Sequence, residues 1–404
     1  MAIDNPDNWG YYSELNINNP SPDYQMRLVL KRGTGTNDPT KGIIYDGGNC
    51  SYDDMRDVRV GTDSDPAAAE QLPQWAESVD PGIERIIWVK TNGNQTLYLF
   101  IGNSDASEYS DVPNTWIFLD SFETDTTGSY YSHKGSDSKS HQVYKEGWYA
   151  SDNIRIITKT RITDYKAGTW GSLLGFAMAD AVNSLGYTSY YVEGAINNDS
   201  DYGASNSPTK LILYAGSKTS NGSSTQKKVA SFSLNTKYYF EYGFSSSVIK
   251  TVYRDADYSQ IDSTENTTTP SFSNLKYIFI YFWHCNEYGS TYDFSWNSTE
   301  KAVRMYVKRD NTFSMIDTLN DFIAFGKFAL TEPAWGSFGD WQEISPPPPP
   351  PPPSGGLSDI NVTPARVITT DFPAAAGLPK DKKVRIYAKA VSGQEKEILL
   401  DAST

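Results

Sequence analysis

One polar segment late in the chain carries the residue types with which proteins bind sugars. It reads CNEYGSTYDFSWN, residues 285–297, and it follows the apolar stretch LKYIFIYFWH. Aromatic rings pack against the faces of sugar rings, while amide and carboxylate groups bind the hydroxyls. The candidate ligand-binding residues are Asn286, Tyr288, Tyr292, Asp293 and Trp296. In the alternative interpretation, Tyr292, Phe294 and Trp296 alternate because they form the inner face of a strand.

Two tandem tyrosine pairs allow the same two interpretations. Tyr130-Tyr131 and Tyr190-Tyr191 each place two aromatic rings next to one another in a strand-like context. The sequence leaves open whether these rings contact a sugar or take part in ordinary sheet packing.

The segment NNDSDYG, residues 197–203, could hold a hard cation. Asn197, Asp199 and Asp201 place three oxygen-bearing side chains at alternate positions before a glycine, and Ca²⁺ prefers such ligands. The segment is not an EF-hand, because the glutamate at its twelfth position is missing. Asx-rich turns also commonly satisfy only their own backbone amides. The sequence therefore predicts no cofactor, but it leaves open a Ca²⁺ ion at these three residues and, less favoured, at Asp46, Asp53 and Asp54 of DGGNCSYDD.

The residue patterns of common enzymes are missing, so we predict a protein without catalytic residues. Retaining glycosidases need two carboxylates about 5 to 5.5 Å apart, and the nearest string, Glu123-Thr-Asp125, lacks the second glutamate. The chain contains no G-x-S-x-G elbow, zinc-ligand spacing or phosphate-binding glycine loop. The three histidines, His133, His141 and His284, lie in polar loop contexts or at a strand end.

Charge and composition exclude further classes. The net charge is −14, and the acidic excess lies before residue 345. Such a surface repels phosphate backbones, so we expect no nucleic acid partner. No segment approaches the roughly 20 apolar residues of a membrane span, so we expect no membrane insertion. The start, MAIDNPDNWGYY, shows no signal sequence. Together with Met1, this favours a virion component over a secreted protein.

The first 112 residues predict a small β-sandwich. YYSELNI, YQMRLVL, DVRVGT, ERIIWVK and QTLYLFI have strand length and are rich in β-forming residues. TNDPTKG, DGGN and TNGNQ supply the Gly, Asn and Pro that turns need. The pair IIWVK and TLYLFIG, joined by TNGNQ, predicts a β-hairpin.

Longer strands continue over residues 113–344 and predict a large antiparallel sandwich. Ten apolar stretches recur every 12 to 20 residues, NIRIITKTRIT, TSYYVEGAI and LKYIFIYFWH among them. In KYYFEYGF, Tyr238, Phe240 and Tyr242 share one face. AMADAVNSLG is the best helical candidate, of a turn or two at most. The predicted fold class is therefore all-β.

The first sandwich resembles a domain of unknown function that is common in archaeal and some bacterial surface proteins. Its hallmarks are a D-Y-Q strand, a D-x-R strand, a lone Trp, a W-V-K strand and a Y-G-N ending. The corresponding residues are DYQMRLVL, DDMRDVRV, Trp75, IIWVK and TLYLFIGN. Phe100-Ile101 stands where Tyr-Tyr is usual. The resemblance implies a non-catalytic, surface-displayed module.

The second sandwich resembles a concanavalin-A-like (laminin-G-like) jelly roll, which typically follows that domain. Such a fold opens with an F-x-D-D-F segment and closes with D-W-v-x-v-R-k-y followed by E-P. Here FLDSFE, residues 118–123, and DFIAFGKFALTEP, residues 321–333, stand at the expected ends. Phe322 replaces the Trp and Gly326 the Arg. By analogy alone, the resemblance implies a glycan or a cell-surface ligand.

A run of eight prolines separates this head from the last 48 residues. Residues 345–356, SPPPPPPPPSGG, predict a spacer in which the eight prolines form a stiff polyproline II rod about 25 Å long. Residues 357–404 contain INVTP, KVRIYAKAV and KEILLD, which predict three strands. Forty-eight residues make a poor independent core, so we expect this segment to anchor the head on other structural subunits or to begin a further domain.

These features predict a display protein at an extracellular or virion surface. In one hypothesis the jelly roll of a fibre, spike or adhesin binds a cell-surface glycan or glycoprotein. In the other, the domains pack against copies of themselves in a capsid, sheath or filament and bind nothing small. Both hypotheses include a homo-oligomer, and a glycoside hydrolase is the third and least supported alternative.

Overall fold

The structure, a computed structural model, describes most of the first 344 residues. The described ranges are 2–134, 140–150, 153–166, 171–181, 191–198, 209–219, 222–267, 275–283, 291–308 and 315–344, with the backbone of 384–389 and 395–400. The chain forms two compact units, Met1–Pro347 and Pro348–Thr404. The proline run lies outside the described residues. Within those residues, no helix is long and apolar enough to cross a membrane.

The described chain is nearly all β, as the sequence predicts. The early strands are β1 Tyr11–Asn18, β2 Gln25–Lys31, β3 Ile43–Tyr45, β4 Arg59–Gly61, β5 Gln74–Asp80, β6 Glu84–Lys90 and β7 Thr96–Ile101. The middle strands are β8 Phe118–Asp120, β9 Tyr131–Lys134, β10 Ser140–Tyr144, β11 Ile154–Lys166, β12 Leu173–Ala179, β13 Tyr191–Asn197, β14 Lys210–Thr219, β15 Gly222–Ser231, β16 Lys237–Phe244, β17 Ile249–Arg254, β18 Gln260–Asn266, β19 Tyr277–Trp283, β20 Thr291–Asn297, β21 Ala302–Lys308 and β22 Met315–Lys327. The late strands are β23 Ala334–Phe338, β24 Gln342–Glu343, β25 Val384–Lys389 and β26 Glu395–Leu400. One short helix, α1 Val112–Thr115, and the 3-10 turns Pro6–Asn8, Pro39–Lys41 and Thr127–Ser129 complete the described elements.

The first sandwich consists of a five-stranded and a four-stranded sheet. The strand order is β23-β1-β7-β4 in one sheet, with β24 beside β1, and β3-β2-β6-β5 in the other. Leu15, Leu28, Ile87 and Leu99 are fully buried in the core of this sandwich. β23 and β24 follow the jelly roll in the sequence, but they pair with β1 of the first sandwich. Residues 334–343 therefore belong to the first sandwich, although the sequence placed them in the jelly roll, residues 113–344.

The hairpin predicted for IIWVK and TLYLFIG is wrong. β6 pairs with β2 and β5 in one sheet, whereas β7 pairs with β1 and β4 in the other. The TNGNQ turn therefore connects the two layers of the sandwich. Turn residues indicate that the chain reverses, but they do not indicate whether the next strand joins the same sheet.

The jelly roll packs a seven-stranded sheet against an eight-stranded sheet. The seven-stranded order is β15-β14-β13-β12-β19-β10-β9, and the other order is β18-β17-β16-β11-β22-β21-β20, with β8 beside β22. Tyr238, Phe240 and Tyr242 face the core between the sheets, which confirms the predicted face of β16. β8 and β22 are neighbours, so the opening and closing segments of the jelly roll meet.

The helix predicted for AMADAVNSLG does not form in its described part. Residues 177–179 are the last residues of β12, paired with β13 and β19, and residues 182–190 lie outside the described residues. The alternation of Phe176 and Met178 inward with Ala177 and Ala179 outward has the strand period.

The two sandwiches share an aromatic and charged interface. Trp75 and Trp88 of the first sandwich cluster with Tyr239 and Phe322 of the jelly roll. This explains why β6 is buried on both faces: Ile87 and Val89 face the first core, and Trp88 faces the jelly roll.

The second unit contains a β-hairpin among its described residues. β25 and β26 pair antiparallel, with Val384 opposite Leu400. The two strands correspond to the predicted KVRIYAKAV and KEILLD. The third predicted strand, INVTP, lies outside the described residues.

Candidate functional site

The seven-stranded sheet presents a side-chain face that points away from the jelly-roll core. Along β19, Ile278, Ile280 and Phe282 enter the core, so Tyr277, Phe279, Tyr281 and Trp283 point to the other side. The same alternation holds in the neighbouring strands β10, β12 and β13. We call this second side the outer face.

A group of tyrosines lies at one end of the outer face, and we call it the tyrosine patch: Tyr131, Tyr144, Tyr149 and Tyr277. Tyr131 stacks on Tyr144 with ring centroids 5.4 Å apart, and Tyr149 packs on Tyr277 at 6.0 Å. Tyr131 and Tyr149 are 52% and 60% exposed. Exposed rings held by neighbouring rings form a rigid platform, because little side-chain freedom remains to be lost on binding.

Small residues form the floor beside the tyrosine patch. Gly175, Ala177 and Ala179 of β12 and Ala195 of β13 occupy adjacent outer-face positions. A Cβ added at Gly175 would lie 2.7 Å from the Cβ of Ala195, so this floor has no room for larger side chains. Ala177, Ala179 and Ala195 are themselves fully buried, and Ala177 and Ala179 pack with Phe279 and Tyr281 of β19.

Glu193 lies on this face beyond the floor, in a pocket made by a glycine. Its cross-strand neighbours are Ala177 of β12 and Gly216 of β14. A Cβ at Gly216 would lie 2.8 Å from Glu193 Oε1 and 2.5 Å from a ring carbon of Tyr214. The missing side chain at Gly216 therefore makes room for both groups. The ammonium group of Lys227 lies 5.5 Å from the Tyr214 ring centroid.

Burial favours the protonated form of Glu193 at neutral pH. The residue is 1% exposed, and burial raises its pKa from 4.5 to about 8, although a hydrogen bond from Tyr214 and the charge of Lys227 act in the opposite direction. Its Oε2 has no hydrogen-bond partner within the described part of the chain. A buried carboxylic acid of this kind can donate a hydrogen bond.

Gln142 is a second buried polar group on the outer face. Gln142 lies in β10 opposite Tyr281 of β19, and it is fully buried. Neither its Oε1 nor its Nε2 has a hydrogen-bond partner among the residues that the structure describes. Buried polar groups are nearly always paired, so such a side chain needs an explanation.

The predicted sugar-binding segment lies on another part of the jelly roll. Tyr292 and Trp296 of β20 are half-buried and pack against the core, as the inner-face alternative describes. Trp296 Nε1 donates a hydrogen bond to the Phe122 carbonyl at 2.9 Å. Asp293 points the other way, 3.5 Å from Arg304. Asn286 and Tyr288 lie outside the described residues.

His141 belongs to strand β10, whereas the sequence suggested a polar loop context or a strand end. It points inward, stacks on Tyr292 with ring centroids 3.5 Å apart, and its Nε2 lies 2.6 Å from Ser132 Oγ. Tyr292 thus has an aromatic partner inside the sandwich, which accounts for its orientation.

The structure describes only part of the predicted calcium site. Asn197 ends β13 and is 4% exposed, while Asp199 and Asp201 lie outside the described residues. Among the residues described, no group of three or more His, Cys, Asp or Glu side chains is placed to hold a metal ion. The binding of Ca²⁺ by these three residues stays a prediction.

Glu123 and Asp125, the carboxylates considered as catalytic candidates in the sequence, lie on the surface. Glu123 is 65% exposed at its side chain and pairs with Lys301 at 2.8 Å. Asp125 accepts hydrogen bonds from the backbone and the hydroxyl of Thr127. On the described strands of the seven-stranded sheet, Glu193 is the one carboxylate that points to the outer face.

Sequence reasoning missed Glu193, Gln142 and the tyrosine patch as a site. A signal for Glu193 is present: it is the one charged residue in the apolar stretch YYVEGAI. Tyr131 and Tyr144 are far less visible, because only the pairing of β9 with β10 brings them together. Of the tandem pair, Tyr131 faces outward, whereas Tyr130 packs on Trp148 and donates a hydrogen bond to Asp120.

The fold and the geometry of this face define an all-β protein whose larger part is a jelly-roll sandwich. Residues 54–133, about a fifth of the chain, match the model of a family described as Domain of unknown function (DUF2341). The match covers the W-V-K and Y-G-N segments and begins after the D-Y-Q strand. A comparison with curated proteins found no match.

Solved structures with a similar fold include a glycoside hydrolase family 16 endo-glucanase from Bacteroides ovatus, with 7% identity and a TM-score of 0.34 over 52% of this chain and 99% of that one. An endo-β-1,3-glucanase from Pyrococcus furiosus shares 10% identity at a TM-score of 0.33, over 53% and 94%. The CBM2 module of the evolved Dit of Lactobacillus casei phage J-1 shares 8% at 0.32, over 54% and 97%. At these identities, the likeness concerns the fold alone.

Proposed function

We propose that the protein is a non-catalytic display protein that binds cell-surface glycans through the outer face of its seven-stranded sheet. The observation that carries the proposal is the combination on this face of exposed tyrosine rings with buried, unpartnered polar side chains. We further propose that the protein works at an extracellular or virion surface as a homo-oligomer, with residues 357–404 contacting other structural subunits.

The two kinds of residue on the outer face match the two parts of a sugar. The rings of Tyr131 and Tyr149 can cover the apolar face of a pyranose. Gln142 offers one amide donor group and one acceptor, and protonated Glu193 offers an O–H donor, and these groups suit hydroxyls. From Tyr144 to Glu193 the sheet crosses three strand spacings, about 14 Å. Gln142 is fully buried and Glu193 is 1% exposed, so we propose that a ligand held by the tyrosine patch reaches them when the side chains that cover them move.

The same face supports binding without cleavage. A retaining glycosidase needs a second carboxylate about 5 to 5.5 Å from the first, and an inverting enzyme needs one within about 6.5 to 9.5 Å. The neighbours of Glu193 on the described strands are Ala177, Ala195 and Gly216, which carry no carboxylate. We therefore propose that the protein releases a bound glycan without cleaving it.

Removal of the two exposed tyrosine rings tests this proposal. In a glycan-array experiment with the full chain, we expect the Tyr131→Ala/Tyr149→Ala variant to lose at least about tenfold in affinity, about 1.4 kcal/mol, for each bound glycan. The melting temperature should stay within about 2 °C, because both rings are more than half exposed.

The matched control is Tyr306→Ala, since Tyr306 is a half-exposed tyrosine on the other sheet, with Arg304 over its ring. This variant should bind like the wild type. Binding that survives the double substitution would contradict the proposed face and direct attention to the 285–297 segment. Absence of any bound glycan together with ordered self-assembly of the purified chain would favour the purely structural alternative. Release of reducing sugar from a polysaccharide panel would contradict the non-catalytic proposal.

A further inference from the structure

A cavity of about 220 Å³ lies between the first sandwich and the jelly roll. Its lining includes four cationic side chains, Arg27, Lys41, Arg155 and Arg254, but only one carboxylate, Glu332. This is the reverse of the whole chain, whose net charge is −14. A local excess of positive charge in an acidic protein calls for a specific account.

Three of the four cations form ion pairs, Lys41 with Asp257 at the surface and the two arginines Arg254 and Arg155 with glutamates at the junction. Arg254 binds Glu241 through Nε at 2.5 Å and Glu332 through Nη2 at 2.6 Å. Arg155 Nη1 lies 3.7 Å from Glu241 Oε2. These two arginines and two glutamates balance one another, so they leave no positive charge for a ligand.

Among the described residues, Arg27 has no carboxylate within ion-pair distance; burial lowers its pKa, but Tyr239 and the charge of Glu77 outweigh burial and raise it. Arg27 is 6% exposed, and its Nε and Nη1 have no acceptor within the described residues. Its Nη2 reaches only the Ala256 carbonyl, at 3.4 Å. The Tyr239 and Tyr258 rings lie 5.5 and 5.7 Å from its guanidinium carbon. Stacking offsets part of the cost of burying the charge, but it supplies no negative charge.

The carboxylate that could serve Arg27 is already held by other groups. Glu77 binds Lys159 at 2.6 Å and accepts hydrogen bonds from Trp88 Nε1 at 2.7 Å and from the Tyr239 hydroxyl at 2.5 Å. Glu77 is thus shared between the charges of Lys159 and Arg27, which leaves one positive charge in excess. An anion that enters the cavity would offset this excess charge.

We propose that this cavity binds a small oxyanion, with Arg27 and Lys41 as the cations that recognise it. The volume is roughly seven times that of one water in the liquid, so an oxyanion fits with a group attached to it. Inorganic sulfate or phosphate and the carboxylate of an acidic sugar share this chemistry. Lys41 stands near the entrance beside exposed Thr40, and its partner Asp257 is 57% exposed at its side chain. Such a surface pair costs little to open.

The proposal also accounts for two sequence motifs that glycan binding does not use. Tyr24, Gln25 and Arg27 belong to the D-Y-Q strand, and Glu332-Pro333 closes the jelly-roll pattern. The fold brings both to the cavity, where Trp335 Nε1 donates a hydrogen bond to the carbonyl of Arg27, 308 residues away.

Calorimetric titration of the full chain in low-salt, phosphate-free buffer tests the cavity. The probes are sodium sulfate, sodium phosphate and sodium glucuronate, with sodium chloride and neutral glucose as controls. We expect saturable binding of at least one of the three oxyanions and none of the controls. Binding of glucuronate alone would identify a sugar-borne carboxylate as the ligand, and binding of sulfate or phosphate would identify a free inorganic ion.

The decisive variant is Arg27→Met, which should weaken oxyanion binding at least about tenfold. The control is Arg304→Met, at a half-exposed arginine that does not line the cavity, and it should leave the affinity unchanged. If Arg27→Met does not fold, Lys41→Gln decides the question through the same loss of affinity. Equal affinity in the variants and the wild type, or no binding of any of the three oxyanions, overturns the proposal.

Discussion

The variant Glu193→Gln should gain stability over the wild type as pH rises from 5 to 8. In the folded wild type the Glu193 pKa is about 8 instead of 4.5. Between these values the unfolded chain has released the proton that the folded chain retains. The free energy of unfolding of the wild type therefore falls by about 1.4 kcal/mol per pH unit in this window, on the order of 4 kcal/mol in all.

Below pH 4.5 both states of the wild type are protonated, so its full stability is present there and is lost as pH rises toward 8. Glutamine does not titrate, so any cost of its buried amide is the same at every pH. Urea denaturation at pH 5, 6, 7 and 8 measures the difference between variant and wild type. The histidines cancel in this difference because both proteins contain them.

Glu265→Gln is the matched control, because Glu265 is an exposed residue of β18. Its difference from the wild type should stay constant within about 0.5 kcal/mol over the same range. A difference for Glu193→Gln that is equally flat would show that Glu193 is ionised in the folded protein, and the proposed donor role would then be lost.

The second large effect is expected at Glu241. This carboxylate is 3% exposed and lies between Arg155 and Arg254. Glu241→Gln leaves two buried guanidinium groups with only Glu332 as a counter-charge. We expect a loss of about 3 to 5 kcal/mol in the free energy of unfolding at pH 7, measured by urea denaturation as a lower midpoint at unchanged slope.

The control for Glu241 is the same substitution in an exposed ion pair. Glu123 and Lys301 are 65% and 61% exposed at their side chains and 2.8 Å apart. Glu123→Gln should therefore cost less than about 1 kcal/mol. Similar losses for the two variants would contradict the assignment of Glu241 as a buried counter-ion of the junction.

The two glutamates also respond to acid in opposite ways. Burial opposes the ionisation of Glu241, but the charges of Arg254 and Arg155 outweigh it and lower its pKa. Its stabilising effect is present above pH 4.5, the usual pKa, and is lost as pH falls through its lowered pKa. Acid thus weakens the junction between the sandwiches, while it removes the penalty that Glu193 causes at higher pH.

Much of the local structure follows from the sequence. The predicted KYYFEYGF strand is β16, and its inward residues Tyr238, Phe240 and Tyr242 are those that the alternation indicates. Strand period and β-forming residues are local properties, so they can be recognised in a short window. They predicted the all-β class and most of the longer strands.

Pairing over long distances was not accessible in the same way. β23 joins β1, with Trp335 opposite Ile17, and so returns the chain to the first sandwich. β6 and β7 are adjacent in sequence but belong to different sheets. Several pairings satisfy the same local pattern, and only the packing of the whole chain chooses between them.

The candidate site shows the same limit. The sequence indicates that aromatic and polar residues are plentiful, and it led to Tyr292 and Trp296. The tyrosine patch depends on four segments, and Tyr131 meets Tyr144 only through the register of β9 and β10. A surface built from several strands leaves no compact motif in any one of them.

Glu193 and Glu241 mark the boundary between what the sequence and the tertiary structure decide. Both stand in apolar strands, YYVEGAI and KYYFEYGF, and strand alternation alone places both on the side of their sheet opposite the core. What covers that side follows only from the assembled fold. The first sandwich covers Glu241 and forms the junction at which it meets two arginines, so this carboxylate is ionised. Glu193 is buried beside Tyr214 on the outer face without an arginine partner among the described residues, so it keeps its proton.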